Sequence, residues 1–474
     1  MQSWRPRPGD SVVRHPREEE IRPLRIAAPS PRVPSKNFGS PYMLLGGFAI
    51  LICVGTGLLL LPFTNADGDV TPFTDALFTA TSAVTVTGLV VVDTPTYWTF
   101  PGQLIIMLLI FTGGLGIMTS ATFLLILIGQ RITLANRLLM RETLGVNQLG
   151  GLVRLTRYIV FTIVAIQAVG FLLLFARLYS EFPVSTALWQ AGFHAVSGFN
   201  NAGFVAFPDS QSLSRFQQDY AILLTMTLLI ILGTLSYSVL VDVVRYRRFT
   251  RYTLDSKLVV TGTIAMILVG TGVILVAEYG NSDTLGPMAF GDKALNAMFQ
   301  AVSGRTAGFT SLDFEAMEQH SSFFTIGLMF IGGASASTAG GIKVNTFAVL
   351  LAAVLSSIGG KTHVTAFGRE IPQVQIYRAL AVLVLGMAMV FAVSFFLTIS
   401  EGFPFIQILF ETVSAFATVG LSTGITNELS ELGRIIIILT MFLGRVGPLT
   451  VALVLAQREE AAPYRYAEER VKIG

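Results

Sequence analysis

The chain has 474 residues, of which 52% are hydrophobic and 13% charged. A soluble globular chain carries about 25% charged residues, so the composition excludes a soluble domain and points to a membrane protein. The net charge of +3 is too small to imply a partner by itself, and the single cysteine, Cys53, excludes an internal disulfide.

The predicted elements begin with a basic, Pro-rich tail over 1–40. It has too few large apolar residues to bury a core and is expected to be disordered. The first apolar run starts near Pro41 and is too long for a signal-peptide core. A span needs about 20 residues, and eight stretches reach that length: 42–62, 102–129, 158–179, 219–243, 258–279, 322–350, 374–399 and 431–456. They pair off around four shorter apolar segments, 73–84, 185–197, 291–303 and 402–414, which are too short to cross and read as re-entrant half-helices.

Each short segment runs into a similar phrase. Residues 80–90 read ATSAVTVTGLV, 194–204 HAVSGFNNAGF, 300–310 QAVSGRTAGFT and 411–421 ETVSAFATVGL. Four copies at near-even spacing are an internal repeat. The division that follows is repeat 1 over 41–129, repeat 2 with its preceding linker over 130–257, repeat 3 with its following linker over 258–373, and repeat 4 over 374–456. A C-terminal tail covers 457–474. The fold class is therefore an all-α membrane protein of four linked membrane–pore–membrane repeats, with eight transmembrane helices and four pore helices around one pseudo-fourfold pore.

Basic residues set the orientation. Arg131, Arg137, Arg141, Arg154 and Arg157 lie in the linker after the second span. Arg245, Arg247, Arg248, Arg251 and Lys257 lie in the next, and Lys361 and Arg369 in the third. By the positive-inside rule these linkers and both termini are cytoplasmic. The gaps holding the phrases are acidic, with Asp67, Asp69, Asp75, Asp93, Glu181, Asp209, Glu278, Asp283 and Glu401, and an acidic mouth concentrates cations.

A half-helix that ends at membrane depth leaves carbonyls that must face protein or a polar cavity. Four such ends around an axis give carbonyl oxygens that can replace the water shell of a cation. Aligned on the glycine, the linings are Val86-Thr87-Gly88, Asn201-Ala202-Gly203, Thr306-Ala307-Gly308 and Thr418-Val419-Gly420. The side chains vary and the glycine persists, as expected of a site built from main chain; glycine permits the positive φ such a turn needs. The third copy is one residue shorter between Ser303 and Gly308, so the symmetry is approximate.

Two further motifs lie deeper. After Ile331 come ten residues, 332–341, that are all Gly, Ala, Ser or Thr, followed by Ile342 and Lys343. Such a run predicts a broken helix, with a close small-residue helix crossing as the alternative. Residues 441–450 read MFLGRVGPLT, placing Arg445 inside an apolar span, where a charge is functional or structurally paired. Pro448 predicts a kink just beyond it. His194 has no second ligand at metal spacing and reads as a packing or hydrogen-bonding residue. The Gly113-Gly114-Leu115-Gly116 stretch reads as a close helix contact. The chain shows neither a phosphate-binding loop nor a nucleophile–base set, which leaves an intramembrane enzyme as a remote alternative.

The sequence resembles the Trk/Ktr/HKT superfamily of potassium transporters over about 42–456, closest to its bacterial KtrB branch. TSAVTVTGL, VSGFNNAGF, VSGRTAGF and VSAFATVGL carry the likeness, together with the two deeper motifs. The resemblance implies potassium translocation through the bacterial inner (plasma) membrane, with potassium held at the twelve filter residues and no covalent cofactor. Four filter glycines imply potassium preference, because a serine at the first marks sodium-preferring members. A sodium-coupled potassium symporter or sodium carrier of the same fold is the alternative, with sodium as coupling or activating ion. The resemblance also implies a gate made of Gly332, Gly333, Ser335, Ser337, Thr338, Gly340, Gly341, Lys343 and Arg445. As partners it implies a second copy in a homodimer and a cytoplasmic nucleotide-binding regulatory ring of the KtrA type. Membrane lipid at the basic 245–251 segment, and no nucleic acid, complete the expected partners.

Overall fold

Helices make up nearly all the regular structure of this computed structural model, which describes residues 41–116, 152–208, 212–246, 248–447 and 450. The two expected tails, most of the 130–157 linker with Arg131, Arg137 and Arg141, and also Asp209, Arg247 and Pro448 lie outside the described residues. In chain order, α1 (Pro41–Leu59) leads to α2 (Phe73–Thr85), a one-turn α3 (Thr94–Tyr97) and α4 (Phe100–Leu115). Next come α5 (Leu152–Leu178), α6 (Val184–Asn200), α7 (Tyr220–Thr234) and α8 (Tyr237–Arg245). They are followed by α9 (Leu254–Ala277), α10 (Phe290–Ser303), α11 (Gln319–Phe330) and α12 (Val344–Ile358). A small hairpin of β1 (Thr365–Ala366) and β2 (Arg369–Glu370) precedes α13 (Gln373–Ser400), α14 (Phe405–Ala417) and α15 (Glu431–Val446).

Among these, α5, α9 and α13 are long and apolar enough to cross a bilayer singly. Their outward faces carry exposed Phe161, Leu268, Val276 and Phe391. A belt of that kind would be untenable against water and is the low-energy surface against lipid. The short helices α2, α6, α10 and α14 fall where the half-helices are predicted. Pro72, Pro183 and Pro404 stand at three of their N-caps. Proline there has a fixed φ and no N–H to leave unbonded.

Packing proceeds in a cycle. Helix α4 touches α6, α7 touches α10, α11 touches α14, and α15 returns to α2. A separate apolar core fills each junction. The last junction is also clamped by Arg434 on α15 and Asp75 on α2, 2.6 Å apart.

Four predicted spans differ from a single straight helix. The 322–350 span is broken between Phe330 and Val344, as expected. The 219–243 span is not one helix: α7 and α8 diverge by 101°. The cause lies in the hydrogen bonds. The Gly233 carbonyl accepts from Thr338 N and the Thr234 carbonyl from Ala334 N (2.9 Å), so neither is left for the next helical turn. Within the spans predicted at 102–129 and 431–456, α4 ends at Leu115 and α15 at Val446, each before a glycine of positive φ, Gly116 (+78°) and Gly447 (+93°), and residues 117–129, 448, 449 and 451–456 lie outside the described ones.

Just before these breaks the second helices press against the half-helices. A Cβ added to Gly113, Gly233 or Gly444 would lie 2.8, 3.0 or 2.8 Å from the backbone carbonyl carbon of Val84, Phe199 or Phe416. Gly113 is thus the close contact its sequence context suggests. Gly233→Val should therefore lower the thermal midpoint of the detergent-solubilised protein, with an overpacking cost of about 1–3 kcal/mol. Gly57→Val on α1, where an added Cβ meets nothing within 4 Å, should leave the midpoint nearly unchanged. Equal melting of the two variants would contradict the close crossing.

A ring of main chain above an intramembrane loop

Every half-helix ends in a way that uses up its own carbonyls. At α2, α6 and α14 the capping residues Val86, Asn201 and Thr418 adopt the left-handed conformation. The next amide then folds back onto a serine carbonyl: Thr87 N to Ser82 O at 2.8 Å, Ala202 N to Ser197 O at 2.9 Å, and Val419 N to Ser414 O at 2.8 Å. These are Schellman-type caps. The third end, one residue shorter, uses a helical bond from Ala307 N to Ser303 O (2.8 Å), and its positive φ falls on Thr306 (+99°). In all four triplets the first and third residues have positive φ. A left-handed non-glycine residue costs roughly 1–2 kcal/mol, and a β-branched one such as Val86 is a genuine outlier. The caps and the serine bonds offset that cost.

The four glycines meet one another. A Cβ on Gly88 would lie 2.9 Å from the Gly203 Cα, one on Gly203 3.1 Å from Gly308, one on Gly308 3.2 Å from Gly420, and one on Gly420 2.9 Å from Gly88. In the same cyclic order each would strike a carbonyl oxygen, of Ala202, Ala307, Val419 and Thr87. The eight other triplet side chains are at most 1% exposed. The ring is thus closed and formed by backbone, with side chains turned into the protein. All twelve predicted filter residues come together in it.

Two layers of side chains hold the ring, and neither stands out in the sequence as a site. The serine of each phrase latches the returning strand. Ser82 Oγ accepts from Gly88 N (3.0 Å) and Ser414 Oγ from Gly420 N (3.1 Å), whereas Ser197 and Ser303 donate to the Phe204 and Phe309 carbonyls. Three residues earlier stand Thr79, His194, Gln300 and Glu411. Three of these brace the strand beyond the glycine. His194 Nε2 accepts from Ala206 N (3.3 Å), Gln300 donates to Thr310 Oγ1 (2.8 Å), and Glu411 accepts from Ser422, Thr423 N (3.1 Å) and Thr426 Oγ1 (2.9 Å). His194 is accordingly the hydrogen-bonding residue expected.

Outside the ring lies a cavity of about 570 Å³ that touches all four glycines and carries Asp93, Asp313 and Glu315. Of the acids read as a mouth, Asp93 lines it. Several of the others are occupied elsewhere. Asp75 pairs with Arg434, Glu181 with Arg177, Glu278 accepts from Asn281, Thr284 and Glu318 N, and Glu401 accepts from Ser430.

Beneath the ring, residues 331–343 form a non-helical loop, and the helix-crossing alternative does not hold. Ile331 and Ile342 pair as a bridge, with Gly332 N bonded to Ile342 O at 2.8 Å. A Cβ on Gly332 would lie 3.0 Å from the Thr306 methyl, and one on Gly341 3.0 Å from the Ala417 Cβ. Thr338 Oγ1 donates to Gly233 O (2.9 Å) and accepts from Asn201 Nδ2 (3.1 Å). The loop therefore sits directly under three of the four ring entries. Ser335 reaches Asn345, and Ser337 closes on Ala334 O.

Arg445 lies in the last turn of α15, where the helix dipole favours a cation. It donates to the Thr338 carbonyl of the loop and to the Gly113 carbonyl of α4 (2.8 Å). No carboxylate pairs with it among the described residues. Lys343 turns back onto the Ala339 and Gly340 carbonyls. Two basic side chains thus lie below the ring, held by backbone oxygens.

A family model described as a cation transport protein, TrkH, matches residues 48–463. The Ktr system potassium uptake protein B of Bacillus subtilis is 43% identical over 437 residues, covering 92% of this chain and 97% of the relative. The potassium/sodium uptake protein NtpJ of Enterococcus hirae is 38% identical over 443 residues, covering 92% and 97%. Among solved structures, the potassium transporter TrkH of Vibrio parahaemolyticus superposes with a TM-score of 0.69 at 18% identity, covering 89% of this chain and 86% of that one. The fold is TrkH-like.

The serine latches differ in what their loss exposes. Ser414→Ala orphans a buried amide, which costs about 1–3 kcal/mol. Ser197→Ala orphans a carbonyl, and under-satisfied carbonyls are better tolerated than orphaned N–H groups. Thermal midpoints should fall further for Ser82→Ala and Ser414→Ala than for Ser197→Ala. The reverse order would show that the latches do not hold the strands.

Proposed function

Since the chain belongs to the TrkH family of cation transport proteins, we propose that it takes up potassium across the plasma membrane through the glycine ring. The observation that carries this reading is the closed cycle of four backbone turns with buried side chains under an acidic cavity. Potassium is the substrate. Carbonyls of the four triplets replace part of its water shell, and Asp93, Asp313 and Glu315 raise its concentration at the entrance. Just below, Asn201 Oδ1, Thr306 Oγ1 and Thr418 Oγ1 are buried without a hydrogen-bond partner among the described residues. Those oxygens suit a cation or its water.

On this reading the chain is four membrane–pore–membrane units around one pore, with the repeat boundaries given above, eight spans and cytoplasmic termini. Loop 332–341 obstructs the pore, Arg445 and Lys343 repel cations beneath the ring, and gating displaces the loop. The relatives named as protein B of a Ktr system fit a part of a larger assembly, and on this reading the chain works as a homodimer on a nucleotide-binding regulatory ring. An intramembrane enzyme has no support from the relatives, which are named as transport proteins. The name of the Enterococcus hirae relative favours a second reading, in which sodium is carried or coupled. Potassium flux into liposomes with and without sodium separates the two: flux that needs no sodium supports the first, and flux abolished by its removal the second.

Two variants test the ring and the gate. Gly88→Ser puts a Cβ against the Ala202 carbonyl and the Gly203 Cα. Potassium-over-sodium preference, measured by competition uptake, should fall, while the other three glycines keep the ring in being. Unchanged preference in folded protein would move the filter elsewhere.

Arg445→Gln removes a charge whose repulsion of a cation 4 Å away is about 1 kcal/mol in water and about 4 kcal/mol at an effective dielectric of 20. Maximal flux should rise about fivefold or more, and apparent potassium affinity should change less. A drop in thermal stability with no gain in flux would instead assign Arg445 a structural role.

A further inference from the structure

Two cavities are each lined by residues of both α9 and α13. The first, about 560 Å³, is bounded by Asp255 and Leu258 of α9, Asn345 of α12, Arg369 of the hairpin, and Gln375 and Arg378 of α13. The second, about 770 Å³, lies further along the same two helices, with Met266 and Val269 of α9, Met387 and Phe391 of α13, and Phe330 and Ile331 where α11 gives way to the loop. From Asp255 to Val269 is 14 residues of helix, about 21 Å, enough for the acyl chain of one leaflet, about half of a 30 Å hydrocarbon core.

The two ends differ in chemistry. Around the upper cavity the named lining is wholly apolar. At the lower end Arg369 and Arg378 are exposed, and neither has a carboxylate partner among the described residues. The nearby acids are engaged: Glu370 faces His363 at 3.2 Å, and Asp255 accepts from Asn345 Nδ2 at 2.9 Å. The first turn of α13 borders the same cavity through Gln375, and the helix dipole there favours a phosphate.

We propose that this groove binds one anionic glycerophospholipid, its phosphate between Arg369 and Arg378 and one acyl chain along α9 and α13 against Phe330 and Ile331. The lipid then touches both ends of the intramembrane loop. Its chain abuts the loop's start. Its headgroup borders Asn345, whose Oδ1 accepts from Ser335 of the loop at 2.9 Å. A bound lipid braces the loop in its obstructing position; this effect on flux rests on the gate reading above, whereas binding does not.

The test uses the full chain in detergent, offered phosphatidylglycerol or phosphatidylcholine of equal chain length, with bound lipid counted by native mass spectrometry. Phosphatidylglycerol should be retained preferentially. Arg369→Gln combined with Arg378→Gln should weaken that retention roughly thirtyfold, because two basic groups no longer meet the phosphate, at unchanged thermal stability. Gly327→Trp, at an open position of the upper groove, should expel both lipids. Equal retention of the two lipids by the wild type, or an Arg double variant that binds normally, would overturn the site. So would a Gly327→Trp variant that splits a dimer while keeping its lipid, because the groove would then belong to a second copy. Wild-type flux should be lower in phosphatidylglycerol vesicles than in phosphatidylcholine. Equal flux with binding intact overturns the bracing and leaves the transport reading standing.

Discussion

Four helices end inside this protein, and each end frees main-chain groups that hydrocarbon cannot satisfy. Much of the architecture follows from meeting that demand. Left-handed caps at Val86, Asn201 and Thr418 return amides to the last helical carbonyls. Serine hydroxyls take the glycine amides of two strands and donate to carbonyls of the other two. The second helices cross so tightly that Gly113, Gly233 and Gly444 are pressed onto half-helix backbone. With their amides thus engaged, the strands are held where their carbonyls crowd the glycine ring. A closed ring of main chain, crowded by carbonyl oxygens, is the geometric residue of capping four helices at one place.

The loop obeys the same accounting from below. It takes the Gly233 and Thr234 carbonyls, and in doing so opens the α7–α8 helix. Arg445 closes the arrangement by spanning loop and α4 through carbonyl oxygens. The choice of acceptor matters. A carboxylate partner would cancel the charge, whereas carbonyl dipoles solvate it and leave a net positive field below the ring. Lys343 is likewise held by carbonyls, those of Ala339 and Gly340. A structural cation can therefore keep an unneutralised charge beneath the ring.

Much of the fold and of the site was legible because glycine and small polar residues are improbable at membrane depth unless backbone must approach backbone. The four phrases and the 332–341 run stand out on that ground, and Arg445 as a charge within an apolar span. The break between α7 and α8 was not legible, since its cause is a hydrogen bond between residues 105 apart in sequence, Thr338 and Gly233. Nor was the conformation of Val86, because a β-branched residue is the last expected at positive φ. Acidity misled in part: Asp75, Glu278 and Glu401 lie in the gaps that hold the phrases but serve as structural acceptors. Asp313 and Glu315 follow the third glycine and are the ones that face the cavity with Asp93. Charge alone does not reveal which carboxylates are already bonded.

Imperfect repetition is itself a constraint on mechanism. Where the phrases align, Thr79, His194, Gln300 and Glu411 occupy one position with four chemistries, and only a shared geometry of the strand survives. The loop exploits that freedom. It contacts Asn201, Thr306, and Ala417 with Thr418, coming from one side. Near the fourth entry, Arg445 reaches the Gly113 carbonyl, the α4 residue packed on Val84. An assembly of identical subunits would have to place four such loops on one axis, where they would collide. A single chain can keep a near-symmetric ring and still carry one asymmetric loop beneath it.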